Sequence, residues 1–217
     1  MRGYGQYCPI ALAAEVFAER WTPLIIRNLH LGCDRFTSIL DGAPGLPRSV
    51  LTGRLRGLER AGVVRHGPDG TWTLTAGGRE LAEVCLALGA WGARWRSARP
   101  EDQDPYLALW MVARLIDRSA LPRPRIVVGF RITDRRPPNR YWLVVAGSGN
   151  EVCVHDPGYG EDGRVETDTA HLVRWYAGEI GLGTAMRDGG MTVTAPPWLE
   201  RQLAAWGRLN PYTVPAG

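Results

Sequence analysis

Apolar residues recur at helical spacing along the first hundred positions, in runs punctuated by proline and glycine. Ile10, Ala13, Ala14 and Phe17 form a stripe behind Pro9, which predicts a first helix opening at Pro9, where the missing N–H costs nothing. Thr22 and Pro23 repeat the start signal, with Thr22 as N-cap, for a helix through Leu24, Ile25 and Leu29 that stops at Gly32. A short helix is expected near residues 35–40, then a Gly-Ala-Pro-Gly turn, then a fourth helix opened by Pro47 and closed by Gly62. In that helix Leu51, Leu55 and Leu58 lie on one side. Advancing about 100° per residue puts Ser49, Thr52, Gly53, Arg56 and Arg60 on the other. Residues 63–66 then read as a strand, and after a Pro-Asp-Gly turn residues 71–75 alternate as a second. A long helix from Thr75 carries Leu81, Val84, Cys85, Leu88, Trp91 and Trp95 along one stripe, the pattern of a core or dimer contact.

The pattern breaks at residues 99–105, which hold two prolines and no apolar side chain. The chain therefore divides into a domain over 1–99, a linker at 100–105 and a second domain over 106–217. In the second domain a helix near 106–117 leads into strands near 126–133, 141–146 and 152–155. A helix near 169–177, a short one near 184–187, a strand at 191–194 and a helix at 197–206 complete it. The fold class is α+β: a winged helix-turn-helix, then an antiparallel-rich sheet with helices gathered against one face.

Charge separates the two parts. Of 217 residues, positions 1–99 hold 13 Arg against 8 Asp and Glu, whereas positions 100–217 hold 13 against 14. The positive excess lies wholly in the first half, which points that half at a polyanion. Every basic residue is Arg, none Lys, and Arg suits phosphate and base contacts. No apolar run nears the roughly 18 residues of a membrane span, and the first six residues lack a secretory pattern. Four dispersed cysteines (Cys8, Cys33, Cys85 and Cys153) form neither a metal pattern nor a disulfide framework, so the expected setting is a reducing cytoplasm, with no metal and no cofactor.

Cys8-Pro9-Ile10, Glu19-Arg20-Trp21-Thr22, Arg35-Phe36, Leu51-Thr52-Gly53-Arg54-Leu55, the run from Leu58 to Val64, the run from Thr73 to Gly78, and Trp91 together resemble the HxlR family of bacterial winged-helix regulators. The resemblance spans about residues 8–97 and implies a dimeric DNA-binding transcription factor, more a repressor than an activator. Glu19 stands where a small residue is common, and Leu46-Pro47 replaces the usual apolar–serine start of the recognition helix; neither removes a groove-facing residue. The second half is similar to sterol-carrier-protein-like domains through Tyr141 to Val145, Glu151 to Gly158, Asp168 to Trp175, Ala185 to Gly190 and Trp206. That similarity implies an apolar tunnel for a lipid-like or aromatic molecule.

The residues sort accordingly. Arg48, Ser49, Thr52, Arg56 and Arg60 on the fourth helix, with Arg65 and His66 in the wing, are the expected contacts to double-stranded operator DNA. Arg bonds bidentately to guanine, and Ser and Thr reach phosphates or base edges. Out of context the same face reads equally as a solvated one. One recognition helix covers few base pairs, so a homodimer is expected to read a palindrome. Trp110, Met111, Leu115, Phe130, Trp142, Trp175, Met186 and Trp206 are the expected contacts to a hydrophobic or aromatic effector, although a domain of this size needs most such residues as core. Cys8 sits at the N-cap of the first helix, where the dipole and free N–H groups favour the reactive thiolate; it is a redox or electrophile sensor or an inert thiol. Cys153 and His155 on one strand are too few for zinc, and no phosphate loop or nucleophile elbow occurs, so catalysis is the minor reading. The other alternative is a small-molecule binding or sequestering protein that no longer binds DNA.

Overall fold

The computed structural model describes residues 3–212, so the outer limits of the two expected domains, residues 1–2 and 213–217, lie outside it. The chain forms two compact units, 1–89 and 90–217, with the division falling inside a long helix.

The first unit runs α1 (Pro9–Phe17), α2 (Thr22–His30), α3 (Phe36–Asp41), α4 (Arg48–Arg60), β1 (Val64–His66), β2 (Trp72–Leu74) and the start of α5 (Ala76–Trp95). Its core is built from the stripes seen in the sequence: Ile25, Ile26, Ile39, Leu51, Leu55 and Leu58 are buried. One helix start differs from expectation. Trp21, not Thr22, caps α2, and it adopts a left-handed φ of 78°. A turn in which the Thr22 N–H donates to the Glu19 carbonyl at 3.0 Å draws Thr22 into the helix and buries it. The hairpin pairs Arg65 with Thr73 and His66 with Trp72. Thr75 closes it onto α5, its hydroxyl accepting from the Gly78 N–H at 3.1 Å and donating to the Gly62 carbonyl.

The second unit contains α6 (Pro105–Leu115), β3 (Arg125–Ile132), β4 (Arg140–Ala146), β5 (Gly149–Cys153), β6 (Gly163–Thr167), α7 (Thr169–Tyr176), α8 (Leu182–Arg187), β7 (Met191–Thr194) and α9 (Pro197–Trp206). The sheet order is β5-β4-β3-β6-β7, antiparallel except for the parallel β3–β6 pair. One face packs against the helices: Ile126, Val128, Phe130 and Ile132 of β3 and Leu143 and Val145 of β4 join Leu109, Leu172, Trp175, Leu199 and Trp206 in a single core. β6 is an unexpected strand. It presents only Val165 as a large apolar side chain, with Arg164 and Glu166 on the opposite face, so its sequence reads as a charged loop. β5 ends at Cys153, so His155 lies beyond the strand and does not share a strand face with Cys153 as expected.

Candidate nucleic-acid interface

α4 is placed by its leucine back. Leu51, Leu55 and Leu58 are essentially inaccessible, which fixes the rotation of the helix and turns Arg48, Ser49, Arg56 and Arg60 outward. Two side-chain anchors hold the helices around it. Asn28 is fully buried; its amide donates to the Ile39 carbonyl at 2.8 Å and its Oδ1 accepts from Arg27 at 3.0 and 2.9 Å. Arg54, on the flank of α4, donates to the Arg20 carbonyl at 3.2 Å and forms an ion pair with Glu19. Glu19 therefore has a structural partner on α4. The residue identities alone do not reveal this pair, because its members stand 35 positions apart.

The predicted DNA contacts occupy two neighbouring elements. Arg48 lays its guanidinium over the Phe36 ring, 5.0 Å from the centroid, so its reach is restrained. Thr52 donates to the Arg48 carbonyl at 3.0 Å and is half-buried. The side chains of Arg56, Arg60 and Arg65 are exposed and make no hydrogen bond or ion pair among the described residues. His66 stacks on Trp72 with centroids 4.3 Å apart, which stiffens the wing. The wing is also tethered to the start of α3. The Trp72 N–H donates to the Asp34 carbonyl at 2.7 Å, and Arg35 donates to the Asp69 carbonyl and lies 3.7 Å from its carboxylate. Asp69 accepts from both the hydroxyl and the N–H of Thr71, and these bonds with the nearby Arg35 charge hold its carboxyl below the usual aspartate range. Arg35 as wing anchor was not evident from sequence, since its partner is a loop residue.

A family model described as HxlR-like helix-turn-helix matches residues 16–100. An uncharacterized HTH-type transcriptional regulator of Synechocystis is 34% identical over 97 residues, 42% of this chain and 72% of that protein. This chain belongs to the HxlR-like helix-turn-helix family. The crystal structure of quinone-bound YodB from B. subtilis is 31% identical to this HxlR-like chain, covering 41% of it and 99% of YodB at a TM-score of 0.38. The solution structure of sterol carrier protein domain 2 of Helicoverpa armigera is 17% identical, covering 50% of the HxlR-like chain and 94% of its own at a TM-score of 0.38.

The expected effector contacts in the second unit do not meet around one cavity. Phe130, Trp175 and Trp206 are buried in the same core, Phe130 and Trp175 with ring centroids 6.4 Å apart. Trp142 lies on the opposite face of the sheet with Val127 and Val144. Trp110 and Met111 are buried on α6, Leu115 is half-buried at its end, and Met186 on α8 is exposed. The physical reason is strand alternation: Phe130 faces Tyr141 across the ladder and Gly129 faces Trp142, so Phe130 and Trp142 point opposite ways. In the HxlR-like unit Cys8 is the N-cap of α1 and is exposed, whereas Cys33 and Cys85 are buried and Cys153 is half-buried. Burial pushes the Cys85 thiol up to about 11 and raises that of Cys153.

Proposed function

We propose that this chain is a homodimeric transcriptional repressor that binds a palindromic operator through α4 and the β1–β2 wing, and that its second unit receives a small-molecule signal. The observation that carries the reading is the outward Arg48, Ser49, Arg56 and Arg60 face of a helix whose leucine back is locked, flanked by Arg65. Family membership supports DNA binding as the function of that face. Dimerisation is supported by apolar side chains left in solvent on the first unit: Ile10 and Leu12 on α1, Val84 and Leu88 on α5. Two copies present two recognition helices to half-sites one helical turn apart.

The test is operator binding at several salt concentrations. Arg56→Ala is expected to weaken specific binding by about 1–3 kcal/mol and relax preference at one base pair, and affinity of the wild type should fall steeply with salt. Wild-type affinity and selectivity in Arg56→Ala would remove this face from the interface. No operator binding at any salt would instead favour a sequestering protein. A hydrophobic or aromatic effector at the helix-covered face must part Phe130, Trp175 and Trp206, so a rise in melting temperature with an apolar ligand series supports that chemistry and its absence refutes it. A redox reading through Cys8 has its own support, the exposure of that thiol at a helix start.

A further inference from the structure

The sheet of the second unit has a face that the core does not use, and its residues are arranged oddly for a solvent surface. The ladder sets Arg131 of β3 directly opposite Arg140 of β4, and on its other side pairs Arg131 with Glu166 of β6. Like charges directly opposite one another destabilise an antiparallel pair. In the next row Gly129 stands between Trp142 and Arg164. Three guanidiniums therefore converge, and two carboxylates serve them. Glu166 accepts from Arg131 at 2.9 Å. Glu161 accepts from Arg140 at 3.1 Å, from the Trp142 indole N–H at 2.8 Å, and from Arg164.

Glu161 shows what this face accommodates. It comes from the loop before β6, and its carboxylate lies over Gly129, where a Cβ would stand 2.7 Å from Oε1. The missing side chain is what lets an oxyanion reach the sheet. Glu161 is nearly buried, with 12% of its side chain exposed, whereas Glu166 is 46% exposed and can swing into water. Beside them is a groove of about 210 Å³ bounded by Gly129, Arg131, Arg140, Arg164 and Glu166. That is less than the roughly 300–1,000 Å³ of sites for drug-sized ligands, so its occupant is small. Paired guanidiniums on fixed strands match the planar fork of a carboxylate or the oxygens of a phosphate.

We propose that this groove binds a small molecule through a carboxylate or phosphate group, which takes Arg131 from Glu166 and is held against Arg140 or Arg164. The inference rests on the reading of the second unit as receiver of a small molecule, and it makes the recognised feature an anionic head group rather than an apolar body.

Full-length protein without DNA, titrated calorimetrically with benzoate, phenyl phosphate and inorganic phosphate, tests it, with benzamide as the uncharged comparison. At least one oxyanion is expected to bind tenfold or more tightly than benzamide; the benzoate and phosphate arms tell the two head groups apart. Arg131→Gln should weaken that binding at least tenfold. Glu166→Gln, which removes the competing carboxylate, should strengthen it, and Arg201→Gln on α9 should leave it unchanged. Absence of heat with all three anions, equal binding of benzamide, or weaker binding in Glu166→Gln would overturn the proposal. Operator affinity measured with and without the bound anion separates the two readings: an anion that binds without altering operator affinity supports the site and denies it a role as signal input.

Discussion

Glu161 holds its charge where burial opposes it. Burial pushes this carboxyl up, but hydrogen bonds from Arg164 and Trp142 and the charges of Arg164 and Arg140 outweigh it and hold the group below the ordinary glutamate value of 4.5. A carboxyl lowered on folding adds stability above its unfolded value and loses it as pH falls through its folded one. Glu161→Gln is therefore expected to cost about 1–2 kcal/mol at neutral pH. Thermal unfolding followed from pH 7 downward should show the gap between variant and wild type closing below 4.5. A gap independent of pH would mean that packing, not charge, holds Glu161. The cysteines give a second residue-level expectation. Alkylation at neutral pH should label Cys8 first, because Cys85 is raised to about 11 by burial, Cys33 is enclosed and Cys153 is half-covered. Equal labelling of all four thiols would leave Cys8 structural. A Cys8→Ser protein that binds operator normally but ignores diamide is the outcome expected of a sensor.

At the scale of elements, the wing is tied to the helices on either side of it. β1 leads out of α4 through Gly62, pairs with β2, and meets the start of α5 where Gly78 touches the Val63 carbonyl. A Cβ at Gly78 would lie 2.0 Å from that oxygen, and backbone cannot yield as a side-chain tip does. Gly78→Ala is expected to destabilise the first unit by about 1–3 kcal/mol, readable in urea unfolding. Arg35→Ala addresses a different property. It removes the side-chain tie to Asp69 and leaves the backbone bond from Trp72 to Asp34, so stability should change by less than about 1 kcal/mol while operator affinity falls. Unchanged operator affinity would show that the wing needs no such anchor. The ion pair between Glu19 and Arg54 anchors α4 itself, and a double-mutant cycle should return a coupling of about 1 kcal/mol.

For the whole molecule, assembly and charge decide how the parts are used. The positive excess of residues 1–99 sits with the helix-turn-helix, and the second half is close to neutral. Net long-range attraction to DNA therefore belongs to the first half of the chain, to which the second half adds almost no net charge. Ile10 on α1 is 79% exposed and Leu88 on α5 48%, so both helices leave apolar surface in water. Replacing either by Glu is expected to give a monomer by sedimentation and to weaken operator binding together with assembly. A monomeric wild type, or a Leu88→Glu dimer with full affinity, would contradict the proposed arrangement.

Periodicity and helix-start signals by themselves determined many of the elements: the proline starts of α1 and α9, the leucine back of α4 and the glycine stop at Gly62 follow from local sterics and burial of one face. The solvent-facing side of α4 was legible for the same reason, since burying Leu51, Leu55 and Leu58 leaves only one direction for Arg56 and Arg60. Tertiary structure decided what depends on distant partners. β6 becomes a strand because β3 and β7 offer it neighbours on both edges, and Trp21 caps α2 because a turn at Glu19 pulls Thr22 inward. Aromatic composition could not say that Phe130, Trp175 and Trp206 fill a core while Trp142 faces away, because a one-residue step along a strand reverses the side chain and only the ladder fixes the step. The convergence of Arg131, Arg140 and Arg164 has the same origin: the three lie on three strands, and only the sheet's hydrogen-bond register brings their charges to one place.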